Sequence, residues 1–370
     1  MASAAKPKKT RKSPKSKTAA RPRSKVAVPP PVGPVTLDEA RALARAREPQ
    51  LAAKAGRKEV APPTSPRRVG EERKILEKKT KEELDRRLKE YKATMSIMKK
   101  RGARRPKGAA VPEEGEPAPK AAGFAPLQVF AEGDSWFDYP VPLFGGGIIP
   151  RLEDKLGVPI LNLAKAGDEV RYMLGVDQRK KLTKHLKQGC PAGGPWDVLL
   201  FSGGGNDIVD NPMALWIDEW DATRPPVSHL NTARFGAALD LVRAGYEDLI
   251  ILRDRHSPTT MLMFHGYDFA IPDGRGVCFL GPWLKPTFDL KNFPPGAPRQ
   301  AVVNEMLKRF AGMLTTLAAQ PNVTFLNGQG TLPQVPASWH NELHPSKAGF
   351  NTFAKLFRDK LKALFPSRVA

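Results

Sequence analysis

Cysteine is almost absent from this 370-residue chain: Cys190 and Cys278 are the two it has, so no disulfide framework can hold it together and one bridge at most is available. A reducing compartment is the simpler setting. Long apolar runs are absent as well. No stretch of about 18 apolar residues could span a bilayer, and the basic N-terminus lacks the apolar segment of a secretory signal. The sequence therefore predicts a soluble, cytoplasmic protein. Histidine is scarce at six, and neither the histidines nor the cysteines show ligand spacing, so neither a metal nor a cofactor is expected. Acidic residues are missing altogether from residues 1–34, which carry ten Lys and Arg.

Charge is correspondingly uneven. Residues 1–120 hold 34 Lys+Arg against 14 Asp+Glu, whereas residues 121–370 hold 26 against 24, so nearly all of the +22 net charge lies in the first third. Residues 1–34 have too little apolar surface to offset the entropy of ordering, and the composition predicts a basic disordered tail over 1–70. Such a tail binds polyanions by counterion release, without sequence preference. Nucleic acid, acidic polysaccharide and anionic lipid surfaces are the candidate partners of residues 1–34. A purely solubilising tail is the alternative. Thr36-Leu37-Asp38-Glu39 has a capping-box pattern that predicts a short helix over 36–47. A charged amphipathic helix is predicted over 71–101, where Ile75, Leu76, Leu84, Leu88, Tyr91, Met95 and Met98 recur at helical spacing. It reads either as a solvated helix or as half of a coiled coil. A Pro-, Ala- and Gly-rich linker over 102–122 then separates it from a domain over 123–370.

From Phe124 the texture changes to short apolar runs alternating with amphipathic segments, the pattern of a parallel sheet covered by helices. Strands are predicted at Leu127–Ala131, Pro159–Leu163, Asp197–Ser202, Thr260–His265 and Val323–Leu326, with helices over 148–156, 169–187, 231–252, 299–319 and 346–365. The fold class is α/β: a three-layer α/β/α sandwich on a mainly parallel, flavodoxin-like five-stranded sheet, behind a disordered and helical N-terminal extension. Its ligand crevice belongs at the carboxyl ends of the strands.

Three short motifs fall there. Gly133-Asp134-Ser135 follows the first strand and presents a hydroxyl that needs a base to become nucleophilic. Gly203-Gly204-Gly205-Asn206-Asp207 follows the third, where an Asn206 amide aimed at a developing oxyanion contributes about 3–4 kcal/mol in a water-excluded site. His340-Asn341-Glu342-Leu343-His344-Pro345-Ser346 precedes the last helix, and His344 can serve as general base. Gly-x-Ser-x-Gly, the mark of a different hydrolase fold, does not occur.

Together these residues resemble the SGNH, or GDSL-type, hydrolase superfamily, over about residues 124–365. The resemblance implies that Ser135 is the nucleophile and its N–H one oxyanion donor. It implies further that Gly167, in Asn162-Leu163-Ala164-Lys165-Ala166-Gly167, gives a second N–H, that Asn206 gives a third donor, and that His344 is the base. The implied activity is that of a serine esterase or lipase-like hydrolase acting on a small ester or acylated substrate through an acyl-enzyme. Two further readings stay open, a weakened domain acting as a polyanion-binding scaffold and an acyltransferase with the same covalent intermediate.

One position departs from the family. Asn341 stands where an Asp, three residues before the histidine, orients the ring; loss of such a carboxylate can cost about four orders of magnitude in turnover. Asn can orient the ring through its carbonyl oxygen but brings no charge. A main-chain carbonyl, Glu342 or Asp268 are the substitutes the sequence offers. Among the remaining candidates, His265 reads as structural, Asp134 and Asp207 as holders of backbone in their turns, and Asp138-Tyr139-Pro140 as loop architecture. Phe144-Gly145-Gly146-Gly147 lacks the Lys of a phosphate loop. Trp136, Phe137, Tyr139, Phe144, Trp283 and Leu284 are candidates for an acyl pocket or for core. The oligomeric state is not legible.

Overall fold

The computed structural model describes residues 33–47, 66–104, 124–140, 145–277 and 281–369. The expected tail over 1–70 and linker over 102–122 therefore lie largely outside the described residues, as do Phe144 and Cys278. The five apolar runs form strands β1 (Val129–Gly133), β2 (Ile160–Asn162), β3 (Val198–Ser202), β4 (Met261–His265) and β5 (Val323–Leu326). All pair in parallel in the order β2-β1-β3-β4-β5, which is the flavodoxin-like order expected from the sequence. Every residue of β1 and β3 is buried, because helices cover both faces and no polar alternation is needed.

Nine α-helices occur among the described residues. They are α1 (Leu37–Arg47), α2 (Pro66–Arg101), α3 (Ile148–Leu156), α4 (Val170–Met173), α5 (Val176–Gln188), α6 (Thr232–His256), α7 (Lys285–Leu290), α8 (Ala297–Leu317) and α9 (Lys347–Leu364). In the packing, α3 meets α9, while α4, α5, α6 and α8 form a second group, giving the α/β/α layers. Local chemistry sets several boundaries. Gly157 ends α3 in the left-handed region at φ 65° and returns its N–H to Glu153 O. The Asn231 side chain caps α6, and Ser346 Oγ accepts the Gly349 N–H to start α9 two residues after His344.

Two elements differ from expectation. The helix expected over 169–187 is broken into α4 and α5 at Gly175, whose backbone is extended. A Cβ there would lie 2.8 Å from Arg171 O, so the close approach itself selects glycine. The apolar spacing runs through the break, which is why periodicity does not reveal it. The short α7 is the second: it begins Lys285-Pro286, and a proline at N1 or N2 starts a helix that has too few residues to show a period.

Among the described residues, α1 and the C-terminal part of α2 are packed against the domain. Thr36 and Glu39 form the reciprocal capping box, with Thr36 N–H on Glu39 Oε2 (2.9 Å) and Glu39 N–H on Thr36 Oγ1 (3.3 Å). Leu37, Ala40 and Ala44 of α1 are buried, and α1 lies along α2. Tyr91, Met95 and Met98 of α2 are buried too, with the Tyr91 ring 5.6 Å from Trp196 and its hydroxyl 3.5 Å from Cys190 Sγ. Burying Met95 and Met98 contributes about 1.5–3 kcal/mol each. The exposed Lys78–Glu82 pair at 3.9 Å on the same helix contributes at most about 1 kcal/mol. The narrow apolar stripe therefore decides the helix's position, and α1 and α2 belong to the same compact unit as the sheet.

Candidate active site

Strand β1 delivers Ser135 through a tight turn. A Cβ on Gly133 would lie 2.6 Å from Ser202 O, so only glycine lets β1 approach β3 this closely. Asp134 then receives the turn. Its carbonyl accepts the N–H groups of Phe137 (3.1 Å) and Asp138 (3.0 Å), and its Oδ1 accepts those of Trp136 (3.0 Å) and the Ser202 hydroxyl (3.2 Å). Tyr267 Oη donates to Oδ2. Burial pushes the Asp134 carboxyl up to about 6, against the lowering effect of these bonds. Asp134 holds the turn, as the sequence suggests. Asp207 does the same for the start of α4, accepting Val170 N–H at 2.9 Å.

The turn aims Ser135 Oγ at His344 Nε2, 2.6 Å away, and both residues are nearly buried. His344 Nδ1 lies 3.0 Å from Asn341 Oδ1. That oxygen also accepts the backbone N–H groups of Leu343 and His344, each at 2.9 Å. An atom facing two backbone N–H groups must be the amide oxygen, so the Asn341 orientation is fixed by its partners. His344 then carries its proton on Nδ1, and its Nε2 lone pair faces the serine hydroxyl. Asn341 thus sets by its carbonyl the tautomer that a carboxylate would set.

The other Asn341 atom extends the chain. Nδ2 donates to Tyr139 Oη at 3.0 Å, leaving the Tyr139 proton for His340 Nδ1 at 2.6 Å. The Tyr139 ring also lies against His344, with centroids 4.4 Å apart and planes tilted by 31°. Tyr139 is therefore part of the site rather than loop architecture. Burial lowers the His344 pKa to about 3, with the neighbouring His340 acting in the same direction.

The substitutes considered for the missing carboxylate are engaged elsewhere. Glu342 accepts N–H groups from Gly274, Trp283, Leu284 and Lys285, all within 3.0 Å. Asp268 accepts those of Phe269, Gly330 and Leu332. Each is a buried carboxylate whose oxygens are filled by backbone, which anchors loops at the rim. His265 is structural as well. Its Nδ1 meets Ser202 Oγ at 3.2 Å, and burial lowers its pKa to about 3.

The Asn206 side chain reaches the backbone of Asp168, the residue after Gly167. Asn206 Nδ2 donates to Asp168 O at 2.9 Å, joining the turn after β3 to the turn after β2, where Gly167 has φ 79°. Among the described contacts this is the one hydrogen bond that Asn206 Nδ2 makes. Ser135, Asn206 and His344 line one cleft together with Asp134, Tyr267 and Asp268, and the rest of its wall is largely apolar, including Ile208, Val209, Leu284, Val303 and Met306. Of the residues left open between acyl pocket and core, Trp136 and Leu284 line the cleft, whereas Phe137 is buried against His265 and Phe357. Trp283 packs edge-on to His344. Among the described residues there is no cluster that could hold a metal ion, and no helix long and apolar enough to cross a membrane.

The sequence pattern of the family of GDSL-like lipases and acylhydrolases matches residues 133–351, more than half of the chain. The chain belongs to this family. The GDSL-like match spans Ser135, Gly167, Asn206, Asn341 and His344, and leaves α1 and α2 outside. The comparison with curated proteins gives no match. Solved structures that resemble the chain include the lipase Lip_vut3 from a goat rumen metagenome, at 16% identity over 63% of this chain and 96% of that one, with a TM-score of 0.41. The extracellular lipase of Streptomyces rimosus is similar at 15% identity, covering 63% and 99% of the two chains, TM-score 0.41. Phospholipase A1 of Streptomyces albidoflavus NA297 is similar at 13% identity, covering 63% and 99%, TM-score 0.38. The GDSL-type residues were legible in sequence; Tyr139 was not, because its partners lie some 200 positions away and only the folded turn brings them together.

Proposed function

We propose that this GDSL-type hydrolase is a serine esterase that cleaves carboxylic esters through an acyl-enzyme on Ser135. The observation that carries this reading is the 2.6 Å Ser135 Oγ to His344 Nε2 contact with Nδ1 held on Asn341 Oδ1. Ser135 Oγ attacks the ester carbonyl carbon while its proton passes to Nε2. The carbonyl oxygen takes the negative charge and is met by the N–H groups of Ser135 and Gly167 and by Asn206 Nδ2. Collapse breaks the bond to the leaving alcohol, which receives the proton from His344. Water then attacks the acyl-enzyme, with the same histidine as base.

The imidazolium formed in each step has no carboxylate on Nδ1. Its charge is met by the Asn341 carbonyl dipole and by the Tyr139 ring at 4.4 Å, a cation–π contact of about 0.5–2 kcal/mol depending on desolvation. The apolar walls formed by Ile208, Val209, Leu284, Val303 and Met306 receive the acyl chain and take its apolar surface out of water.

The test is release of p-nitrophenol from short-chain p-nitrophenyl esters by the purified chain. Asn206→Ala is expected to lower kcat by about 10²–10³-fold with little change in KM, since its amide acts on the oxyanion rather than on the ground-state ester. An unchanged kcat would remove Asn206 from the oxyanion site.

A further inference from the structure

The family match begins at Gly133, yet a side chain of α2, outside that match, contacts segments next to the Ser135 and Gly167 turns. Arg87 Nη2 donates to Asp138 Oδ2 at 2.9 Å, and Asp138 closes the Ser135 turn through its N–H on Asp134 O. Arg87 Nη1 lies 3.4 Å from both Asn162 O and Ala164 O, the residues that lead from β2 into the turn holding Gly167. Glu83, one turn earlier on α2, holds Nε at 3.0 Å. One guanidinium therefore grips both segments that the proposed mechanism brings to the ester carbonyl. The side chain is 23% exposed, so these bonds are not simply surface pairing.

We propose that Arg87 is a positioning residue of the hydrolase, fixing the separation of the Ser135 turn and the Gly167 turn and with it the oxyanion site. This rests on the reading of Ser135 as nucleophile and Gly167 as donor. Arginine suits the task because its planar fork carries five donors in fixed directions, whereas a lysine ammonium cannot span a carboxylate on one segment and two carbonyls on another. Docking of α2 does not depend on it. Tyr91, Met95 and Met98 are buried, Lys99 binds Gln128 Oε1 at 3.0 Å, and Arg41 of α1 pairs with Glu153 at 2.7 Å.

The experiment compares full-length wild type with Arg87→Met, Arg87→Lys and Lys99→Met, reading kcat and KM on p-nitrophenyl butyrate, Tm, and the rate of fluorophosphonate labelling. Arg87→Met is expected to lower kcat and the labelling rate by about 10–100-fold with KM within about twofold, since misplacement of order 1 Å costs that much. Arg87→Lys recovers part of the loss. Lys99→Met, which loosens α2 far from the turn, leaves kcat unchanged. Asp138→Asn breaks the same link from the domain side, so it lowers kcat in the same direction and combines with Arg87→Met less than additively. A kcat within twofold of wild type for Arg87→Met, or parallel losses of kcat and Tm in Arg87→Met and Lys99→Met, overturns the proposal. If wild type itself neither turns over the ester nor takes the probe at Ser135, it is the esterase reading that fails.

Discussion

Alanine at position 135 lowers kcat on p-nitrophenyl esters by roughly 10⁵–10⁶-fold while leaving the fold intact. The magnitude follows from the loss of the nucleophile in a serine–histidine pair, after which the remaining acceleration comes from binding and the oxyanion donors alone. The fold survives because Ser135 Oγ bonds only to His344 among the described contacts, while Asp134 and its partners hold the turn. The same substitution leaves Tm within a few degrees, since a small polar atom at a cleft is removed and no core volume is lost. Steady-state rates and a melting curve on wild type and Ser135→Ala check both statements. A variant that retained even a hundredth of the activity would show that the ester is cleaved by another group.

The second large effect lies at Asn341, and its two substitutions move in opposite directions. Asn341→Ala removes the acceptor of His344 Nδ1–H and of two backbone N–H groups. The ring then loses both tautomer and orientation, and kcat falls by about 10³–10⁴-fold. Tm falls as well, because each buried N–H left unpaired costs about 1–3 kcal/mol. Asn341→Asp keeps the acceptor and adds charge. The network can absorb it: Tyr139 turns its proton from His340 toward the new carboxylate oxygen, and His340 presents Nδ1–H to the Tyr139 oxygen.

The sign of the pH effect follows from the charge. In wild type, burial holds His344 near a pKa of about 3, so it stays neutral and competent as a base through mildly acidic pH, and kcat/KM falls only as pH drops toward that value. A carboxylate on Nδ1 favours the imidazolium. In Asn341→Asp the acidic limb of kcat/KM therefore moves up by about 1–3 pH units, and kcat at neutral pH rises. A limb that moves down, or an Asn341→Ala enzyme as active as wild type, contradicts the assigned role of the amide.

What the sequence disclosed and what it concealed separate along physical lines. Ser135, Asn206 and His344 were legible because each sits in a short motif at a strand end or helix start, and β1, β3 and the capping Ser346 place them with local chemistry alone. The covered parallel sheet was legible in five apolar runs of strand length separated by helices. Asn341 was read as a deficit because the type of residue, not its partners, is visible in a sequence; its orientation comes from two backbone N–H groups that converge only in the folded turn. The role of α2 was hidden by composition. Its many charges outweigh a stripe of a few buried side chains, and the partners of that stripe, Trp196 and Cys190, lie about a hundred positions away. Arg87 was one cation among many until the fold set it beside Asp138.

The central claim, an activated nucleophile at Ser135, is tested most directly by treating the intact chain with a fluorophosphonate probe and mapping the modified residue by mass spectrometry. The account predicts stoichiometric modification of Ser135 alone, absent in Ser135→Ala and slowed by Asn341→Ala. Modification of a different serine, or none under conditions where the protein is folded, would contradict it.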